Sequence, residues 1–344
     1  MKKVCCFGEL LLRLPPANGG EWLRHNQLPV FVGGAELNVA TALAAWDVPV
    51  KYCTALPDNI ISRDIRDYLE QKNIDTGSVI LSGERIGLYY LKEGADMKSG
   101  ENVFDRKYSS FSTLSTGIAD WDRILEDADW FHFSAIAPAV SVSAAALVKE
   151  ALEAASKKNI PVSLDLNYRS LLWKYGKQPL EVMPDLAGYC DVIMGNIWAA
   201  NTLLGIPLNE ELIDRKHFSA HATETAQEIF SRFPKCRWNA NTFRFDRETE
   251  DIHYFATLDN REQQAISPHF HTTTIVDKVG SGDCFMAGLI YGLRAGHPMD
   301  TVISYAAAAA FAKLQEKGDS TRHSTGEVMT FLEKYSTGKT NNFK

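Results

Sequence analysis

The feature that most constrains the fold is a regular alternation of strand-like and helix-like segments after about residue 115. Short apolar runs, typical of buried strands, alternate there with longer segments of helical periodicity. The predicted strands are Trp130 to Phe133, Pro161 to Leu166, Asp191 to Met194 and Arg237 to Ala240. The predicted helices run from Ser141 to about Lys157, from Asp283 to Arg294 and from Thr301 to Leu314. This pattern predicts an α/β fold: a doubly wound, mostly parallel sheet flanked by helices on both faces.

The first third of the chain combines core-like and β-rich segments. Val4 to Phe7 predicts a first strand, and Glu36 to Trp46 predicts a helix. Two β-like stretches interrupt this pattern, and the second, with aromatic segments on either side of a glycine-containing turn, predicts an antiparallel hairpin. We expect both stretches to pair into a small β-sheet lid outside the main fold. The predicted division is core at residues 1–14, 34–83 and 113–344, and lid at residues 15–33 and 84–112.

Charge and cysteine usage limit the possible partners. The 344-residue chain has a net charge of −7, so it has no basic excess with which to bind a nucleic-acid backbone. Its six cysteines form no CxxC pair and no metal-ligand spacing, which is typical of reduced, buried thiols. No run approaches the roughly 18 apolar residues of a membrane span, and the first 14 residues do not resemble a signal peptide. We therefore expect a cytoplasmic protein that binds neither nucleic acid nor membranes.

Polar residues follow several of the predicted strands. In a doubly wound fold, ligands bind beyond the carboxyl ends of the strands. A single polar residue there is often only a helix cap, whereas several on the same edge of a sheet favour a binding site. The residues in these positions are Glu9, Asp165, Asn167, Asn196, Asn241, Thr242 and Asp277.

A glycine-rich loop at residues 277–283 is predicted to follow a strand and to open a helix. Glycines allow backbone N–H groups to converge on an anion, and the start of a helix adds partial positive charge. Gly280, Ser281 and Gly282 would then hold a phosphoryl group, while Asp283 takes a proton from an incoming hydroxyl. The alternative is that Ser281 or Asp283 only caps the helix.

Two other nucleotide-binding patterns fit this chain poorly. The third glycine of GxGxxG is replaced by Phe285, and an alanine-rich helix follows where a dinucleotide site needs a second strand. No GxxxxGK[ST] sequence occurs, which argues against a P-loop kinase.

Two motifs resemble the signatures of the ribokinase-like (PfkB) carbohydrate kinases. The sequence GGAELNVA at residues 33–40 is similar to the family's amino-terminal GGxxxNxA, and the loop with its continuation to Gly288 is similar to the carboxy-terminal signature. The similarity extends over nearly the whole chain. It implies a doubly wound α/β domain with a small β lid, ATP and Mg²⁺ as cofactors, and Asp283 as the catalytic base.

A third stretch points to the substrate. The sequence DLNYRSLLW at residues 165–173 resembles DxNxRxxLW of the 2-keto-3-deoxygluconate kinases. An arginine offers the carboxylate of a sugar acid a bidentate grip, and Arg169, with Arg106 as a second, is the candidate. Either arginine could instead form a structural ion pair, and Tyr89 could belong to lid packing. The expected substrate-binding residues are Glu9, Gly33, Gly34, Asn38, Tyr89, Arg106, Asp165, Asn167 and Arg169.

The chain departs from the family pattern at the nucleotide side. Asn196 is not followed by the glutamate of the family's NxxE, and the TxGxxG pattern is absent from residues 238–247. Because Mg²⁺ keeps waters and phosphate oxygens as ligands, it needs few protein groups, and its protein ligands are left unassigned. Arg244 could reach a phosphate or pair with Asp246. The expected cofactor-binding residues are Asn196, Asn241, Thr242, Arg244, Gly280 and Gly282, and a monovalent cation near Asp277 is also considered.

The residues and the resemblance together favour ATP-dependent phosphorylation of a sugar acid, and the resemblance implies that 2-keto-3-deoxygluconate is converted to its 6-phosphate. Two alternatives remain open: a kinase for a neutral sugar such as fructose or ribose, and a catalytically silent sensor of sugar acids. Because lid hairpins with exposed edges commonly pair, a homodimer or higher homo-oligomer through the lid is expected.

Overall fold

The computed structural model describes residues 2–17, 21–92, 102–246 and 252–336. Its strands are β1 (Lys3–Phe7), β2 (Leu11–Arg13), β3 (Phe31–Gly33), β4 (Val50–Leu56), β5 (Ile74–Asp75), β6 (Val79–Leu81), β7 (Gly87–Tyr90), β8 (Val103–Asp105), β9 (Ala128–Ser134), β10 (Val162–Asp165), β11 (Val192–Gly195), β12 (Trp238–Asp246), β13 (Ile252–Asp259), β14 (Gln264–Ile266) and β15 (Phe270–Thr272). Its helices are α1 (Ala35–Ala45), α2 (Ile60–Glu70), α3 (Trp121–Ile124), α4 (Ile136–Ala139), α5 (Val142–Lys157), α6 (Met183–Ala187), α7 (Ile197–Leu204), α8 (Phe218–Arg232), α9 (Ser281–Arg294), α10 (Met299–Lys313) and α11 (Thr325–Ser336).

The central sheet is mostly parallel, as predicted. Within the described ranges its order is β14-β13-β12-β11-β10-β9-β1-β4-β5, with β15 beside β13 and β6 beside β4. All neighbours from β5 to β12 are parallel, whereas β13, β14 and β15 form an antiparallel extension at one edge. The order in which the strands are added to the sheet changes direction at β1, since β4 lies on one side of it and β9 on the other. This is the kind of position at which an open α/β sheet leaves a crevice for a ligand.

Each face of this sheet is covered by its own apolar core. On one face, α1, α9 and α10 contribute residues such as Leu43, Ile290 and Phe311, all of them inaccessible to solvent. On the other face, α5 and α7 contribute residues such as Leu147 and Leu203. The strands are apolar on both sides because both sides are buried. The predicted doubly wound architecture is therefore confirmed.

A second, small sheet has the order β3-β2-β7-β8. Strands β7 and β8 pair antiparallel, with Tyr89 opposite Phe104, as the predicted hairpin requires. The glycine-containing connection between them lies largely outside the described residues. Strand β2 pairs with both β3 and β7 and so joins the two β-like stretches, although its residues were assigned to the core segment 1–14. Residues 21–30 form no strand.

Two local predictions are wrong. Ile275 and Val276 do not form a strand before the glycine loop, since Val276 N–H donates to the carbonyl of Leu314 and β15 already ends at Thr272. Strand β12 does not end at Ala240, because pairing with β13 along its whole length extends it to Asp246. Asn241 and Thr242 therefore lie inside a strand rather than at its end.

The cysteines are buried thiols, as their spacing in the sequence predicted. Each of the six cysteines is buried and free of disulfides. No helix in the described part of the chain has the length and apolar character needed to cross a bilayer.

Candidate active site

A cavity of about 530 Å³ lies at the carboxyl ends of β1, β10 and β11, between the glycine loop and the small sheet. It brings together residues that are far apart in the sequence. Among the predicted site residues, those that line it are Glu9, Gly34, Asn38, Tyr89, Arg106, Asp165, Asn167, Arg169, Asn196, Thr242, Arg244, Gly280, Ser281, Gly282 and Asp283. Gly33 and Asn241 are not part of the lining.

The glycine loop holds the first turn of α9 open toward this cavity. Gly280 has a φ of 79°, in the left-handed region, and a Cβ there would lie 1.7 Å from the carbonyl oxygen of Asp319. Only glycine fits that position. A Cβ at Gly282, in contrast, would meet nothing within 4 Å. The first N–H groups of a helix lack an intrahelical acceptor, so this turn offers unpaired donors beside open space.

Asp283 lies in this turn and is 7% exposed. The Asn38 side chain donates a hydrogen bond of 2.7 Å to Asp283 Oδ2, and Asn167 donates a long one of 3.5 Å to Oδ1. No side chain caps the amino terminus of α9, so Asp283 does not serve as its cap. Burial raises the pKa of Asp283 to about 6, although the Asn38 hydrogen bond and the charge of Arg169 lower it.

Asn38 reaches Asp283 because the chain turns sharply at Gly34. This glycine precedes α1 with a φ of 138°, and a Cβ there would lie 2.4 Å from the carbonyl oxygen of Glu9. Its backbone therefore packs directly on the segment after β1. The amino-terminal motif thus sets the position of the side chain that holds the carboxylate.

The two candidate arginines have different surroundings. Arg106 forms a buried ion pair with Glu9, with Nη2 and Nε at 2.5 Å and 2.7 Å from Oε2. Ser109 also donates a hydrogen bond to Glu9. Arg169 is half-buried in the cavity wall, and its Nη1 donates to the carbonyl of Tyr168 at 3.1 Å.

Asp165 is a second buried carboxyl group, close enough to Asp283 for their charges to interact. It is the last residue of β10 and is 5% exposed. Burial and the charge of Asp283 raise the pKa of Asp165 well above its usual value, whereas Arg169 lowers it. The positive charge of Arg169 therefore acts on both carboxyl groups in the cavity.

A buried charged cluster lies behind the loop and consists of Arg13, Asp277 and Asp319, of which only Asp277 was among the predicted site residues. Arg13 Nη2 lies 2.5 Å from Asp277 Oδ2, and Arg13 Nε lies 2.7 Å from Asp319 Oδ1. The hydroxyl of Tyr89 also donates to Asp319, so the tyrosine presents its ring to the cavity while its hydroxyl is occupied. A charged residue in a short apolar strand was the one signal for Arg13.

The residues expected on the nucleotide side are only partly assembled. Asn196 caps α7, since its Oδ1 accepts a hydrogen bond of 2.9 Å from Ala199 N–H. Thr242 donates to the carbonyl of Gly195 at 3.3 Å, and Arg244 follows on the same strand face. The side chain of Asp246, the alternative partner of Arg244, lies outside the described residues. The Asn241 side chain is buried away from the cavity lining and donates to Asn239 Oδ1 at 2.8 Å.

Within the described ranges, the side chains form no site that could hold a metal through protein ligands alone. The described residues contain no cluster of three or more histidine, cysteine, aspartate or glutamate side chains with suitable geometry. The cavity instead combines one base-like carboxylate, an open helix amino terminus and arginine side chains.

Residues 1–325 match the pfkB family of carbohydrate kinases. A 2-dehydro-3-deoxygalactonokinase from Haloferax volcanii is 25% identical over 325 residues, with 92% of each chain covered. A 5-dehydro-2-deoxygluconokinase from Geobacillus thermodenitrificans is 28% identical over 314 residues, which cover 88% of this chain and 82% of that protein. The crystal structure of 2-dehydro-3-deoxygluconokinase from Thermotoga maritima superimposes with a TM-score of 0.87 at 31% identity and covers 97% of this chain and 100% of its own. The chain is thus a carbohydrate kinase that belongs to the pfkB family.

Proposed function

We propose that this kinase transfers the γ-phosphoryl group of ATP to the terminal hydroxyl of 2-keto-3-deoxygluconate, giving the 6-phosphate. Each of the three relatives described above is named for a keto-deoxy sugar acid. The DLNYRSLLW segment at residues 165–173 supports the same substrate class. The observation that carries the proposal is Asp283, held by Asn38 at the open start of α9 with an arginine across the cavity.

Asp283 acts as the general base in this scheme. The carboxylate takes the proton from the sugar hydroxyl, whose oxygen forms a bond to the γ-phosphorus. The bond from that phosphorus to the β–γ bridging oxygen breaks, and ADP leaves with the electron pair. The N–H groups of residues 280–283 stabilise the negative charge on the phosphoryl oxygens. The pKa of Asp283, about 6, suits a base that is ionised at neutral pH.

ATP and Mg²⁺ fit the residues that are present. The space above Gly282 leaves room for phosphate oxygens beside the α9 donors, and Thr242 and Arg244 line the same cavity. Mg²⁺, when bound, neutralises phosphate charge, and Asn196 and Asp283 are its candidate protein ligands.

Arg169 is the proposed partner of the sugar carboxylate. Arg106 is already neutralised by Glu9 in a pair that is almost fully buried, so it has little charge to offer a second carboxylate. Arg169 lines the cavity two residues from Asn167, which contacts the base. A guanidinium there would orient the acid so that its far hydroxyl faces Asp283.

Sugar-dependent release of ADP tests the proposal. The assay compares 2-keto-3-deoxygluconate, the two acids for which the Haloferax and Geobacillus enzymes are named, fructose and ribose. We expect the highest kcat/KM for a keto-deoxy acid. Arg169→Ala should raise the KM for that acid about 10- to 100-fold, because a charge-assisted hydrogen bond contributes about 1.5–3 kcal/mol.

Exposed Arg63 on α2 provides the matched control, and Arg63→Ala should leave kinetics unchanged. A higher kcat/KM for fructose or ribose than for every acid would overturn the assignment of a sugar-acid substrate. An unchanged KM for the acid in Arg169→Ala would show that Arg169 does not bind the sugar carboxylate.

Three further proposals follow from the architecture. The small sheet acts as a lid that excludes water from the cavity. Its outer strands provide the surface for a homodimer or higher homo-oligomer, because an exposed strand edge can pair with another copy. Val103 on the edge strand β8 is 58% exposed. Sedimentation analysis of the purified protein measures the number of subunits. The free, buried cysteines suit a cytoplasmic enzyme.

A further inference from the structure

The most unusual buried group outside the described chemistry is Lys313. It is the last residue of α10, and its exposure is 0%. Lysine is almost never fully buried unless its charge is balanced, because desolvation of an ammonium is costly. Its Nζ donates to the carbonyl of Glu316 at 3.1 Å and forms no ion pair with any carboxylate in the described part of the chain.

Lys313 lies directly behind the phosphate-binding turn. A Cβ built on Gly280 would be 3.5 Å from Lys313 Cε, so the lysine side chain packs against the glycine that opens α9. The same turn is attached to α10 at two other points. Ser281 donates to the carbonyl of Ala310 at 2.9 Å, and Cys284 donates to that of Ala309 at 3.4 Å. The carboxyl end of α10 therefore meets the amino end of α9.

This junction concentrates negative charge behind a site for an anion. The carboxyl end of a helix carries a partial negative charge. Asp277 and Asp319 add two carboxylates, and Arg13 balances one of them. Lys278 and Arg169 line the cavity itself, whereas the carboxylates buried behind the loop would keep one unbalanced negative charge without a further buried cation. Lys313 places a buried positive charge beside these carboxylates.

The charges of these groups act on one another. Burial lowers the pKa of Lys313, while Asp277 and Glu316 raise it. Lys313 in turn lowers the pKa of Asp283, as does Arg169, whereas Asp319 raises it. The lysine is thus electrostatically coupled to the base although it does not line the cavity.

We propose that Lys313 is a positioning residue whose buried ammonium balances the carboxylates behind the phosphate loop, so that phosphoryl transfer needs no monovalent cation. The inference rests on the proposed phosphoryl transfer. A monovalent ion near Asp277 would duplicate a charge that the chain already supplies. A purely packing role is a poor explanation, because an apolar side chain of similar length would fill the space without the cost of burying a charge.

Lys313→Met removes the charge and keeps the approximate shape. We expect kcat to fall about 10- to 100-fold, a loss as large as that caused by removing a group that supports a metal ligand. The acid limb of kcat/KM should move to higher pH, since Lys313 no longer lowers the pKa of Asp283. NH₄⁺ or K⁺ should restore part of the activity, whereas tetramethylammonium, which is too large to enter, should not.

Exposed Lys317 gives the matched control, and Lys317→Met should keep the wild-type rate and pH profile. A cooperatively unfolding Lys313→Met variant with unchanged kcat and acid limb would overturn the inference. A merely structural role would lower the melting temperature without rescue by small cations, and that result also counts against it.

The wild-type enzyme provides a test that needs no variant. Its rate should be the same in potassium and in tetramethylammonium buffers of equal ionic strength, and a loss of more than tenfold without potassium would contradict the inference. A wild type that releases no ADP with any sugar would overturn the proposed function and this inference together. An active wild type with an equally fast Lys313→Met variant would overturn this inference alone.

Discussion

At the scale of single residues, the proposed mechanism predicts that the ionisation of Asp283 sets the pH dependence of the reaction. Its folded-state pKa of about 6 lies above its ordinary value because the carboxyl group is buried. Asp165 and Glu36, two other buried carboxyl groups, share its electrostatic surroundings, and Asp319 also raises its pKa. Since only the carboxylate accepts a proton, kcat/KM should fall as the pH drops below about 6. An acid limb near pH 4 would show that Asp283 is not desolvated during turnover.

Asp283→Asn separates the catalytic role from the structural one. We expect kcat to fall about 10²- to 10⁴-fold, the usual contribution of a general base. The raised pKa means that ionised Asp283 destabilises the folded state at pH values above about 6, so the neutral amide should raise the melting temperature at pH 8. Exposed Asp67 is the control, and Asp67→Asn should change neither quantity. Full activity in Asp283→Asn would contradict the mechanism.

Single residues differ in how far the sequence could identify them. Asp283 and Asn38 lie in recognisable motifs, and the structure joins them by a hydrogen bond. Arg13 and Lys313 lie in no such motif, and the partners of Arg13 are more than 260 residues away. No local pattern encodes such a pairing, because it depends on which elements the fold brings together.

At the scale of elements, the turn into α9 depends on glycine at two positions for different reasons. Gly280→Ala places a methyl group against the Asp319 carbonyl in a left-handed conformation, so we expect a loss of stability of at least about 2 kcal/mol together with a loss of kcat. Gly282→Ala meets no protein atom, so the melting temperature should not change. Its methyl group faces the phosphate space, however, and should raise the KM for ATP. Thermal unfolding and ATP titration measure both effects, and equal destabilisation by the two substitutions would contradict this account.

Periodicity predicted the elements best where local and tertiary preferences agree. Helix α5 begins where Ser141 caps it, with Ser141 Oγ accepting from Ala144 N–H at 3.1 Å. The apolar pair Ile275 and Val276 is typical of a strand but finds no strand partner, because the segment after β15 crosses to the end of α10. Strand β12 is longer than predicted because β13 pairs with it, and that pairing is a property of the fold.

At the scale of the whole molecule, Arg13 joins the small sheet to the core. Arg13→Leu would leave Asp277 and Asp319 buried without their shared counter-charge, so we expect a loss of about 3–5 kcal/mol in unfolding free energy. Because the group is inaccessible to solvent, added salt should change this loss little. Lys149→Met breaks the exposed pair with Asp185 and should have little effect. Denaturant unfolding of both variants is the measurement, and equal stabilities would contradict a linking role for Arg13.

The architecture was largely predictable, and the junction between its parts was not. The alternation of strands and helices specifies two buried faces for the central sheet, which the two apolar cores confirm. Strand β2 lies in the small sheet because it pairs with β3 and β7, and its Arg13 meets two distant carboxylates; no pattern within residues 1–14 predicts either contact.

The Arg13 pairing also has a consequence during synthesis. The arginine leaves the ribosome long before Asp277, 264 residues later, so a nascent chain cannot form this ion pair until most of the chain has been synthesised. Contacts between such distant parts of a chain form slowly, since a long loop must close first. A polypeptide released before residue 277 would lack Asp283 and both carboxylate partners of Arg13, and we expect it to be inert rather than weakly active.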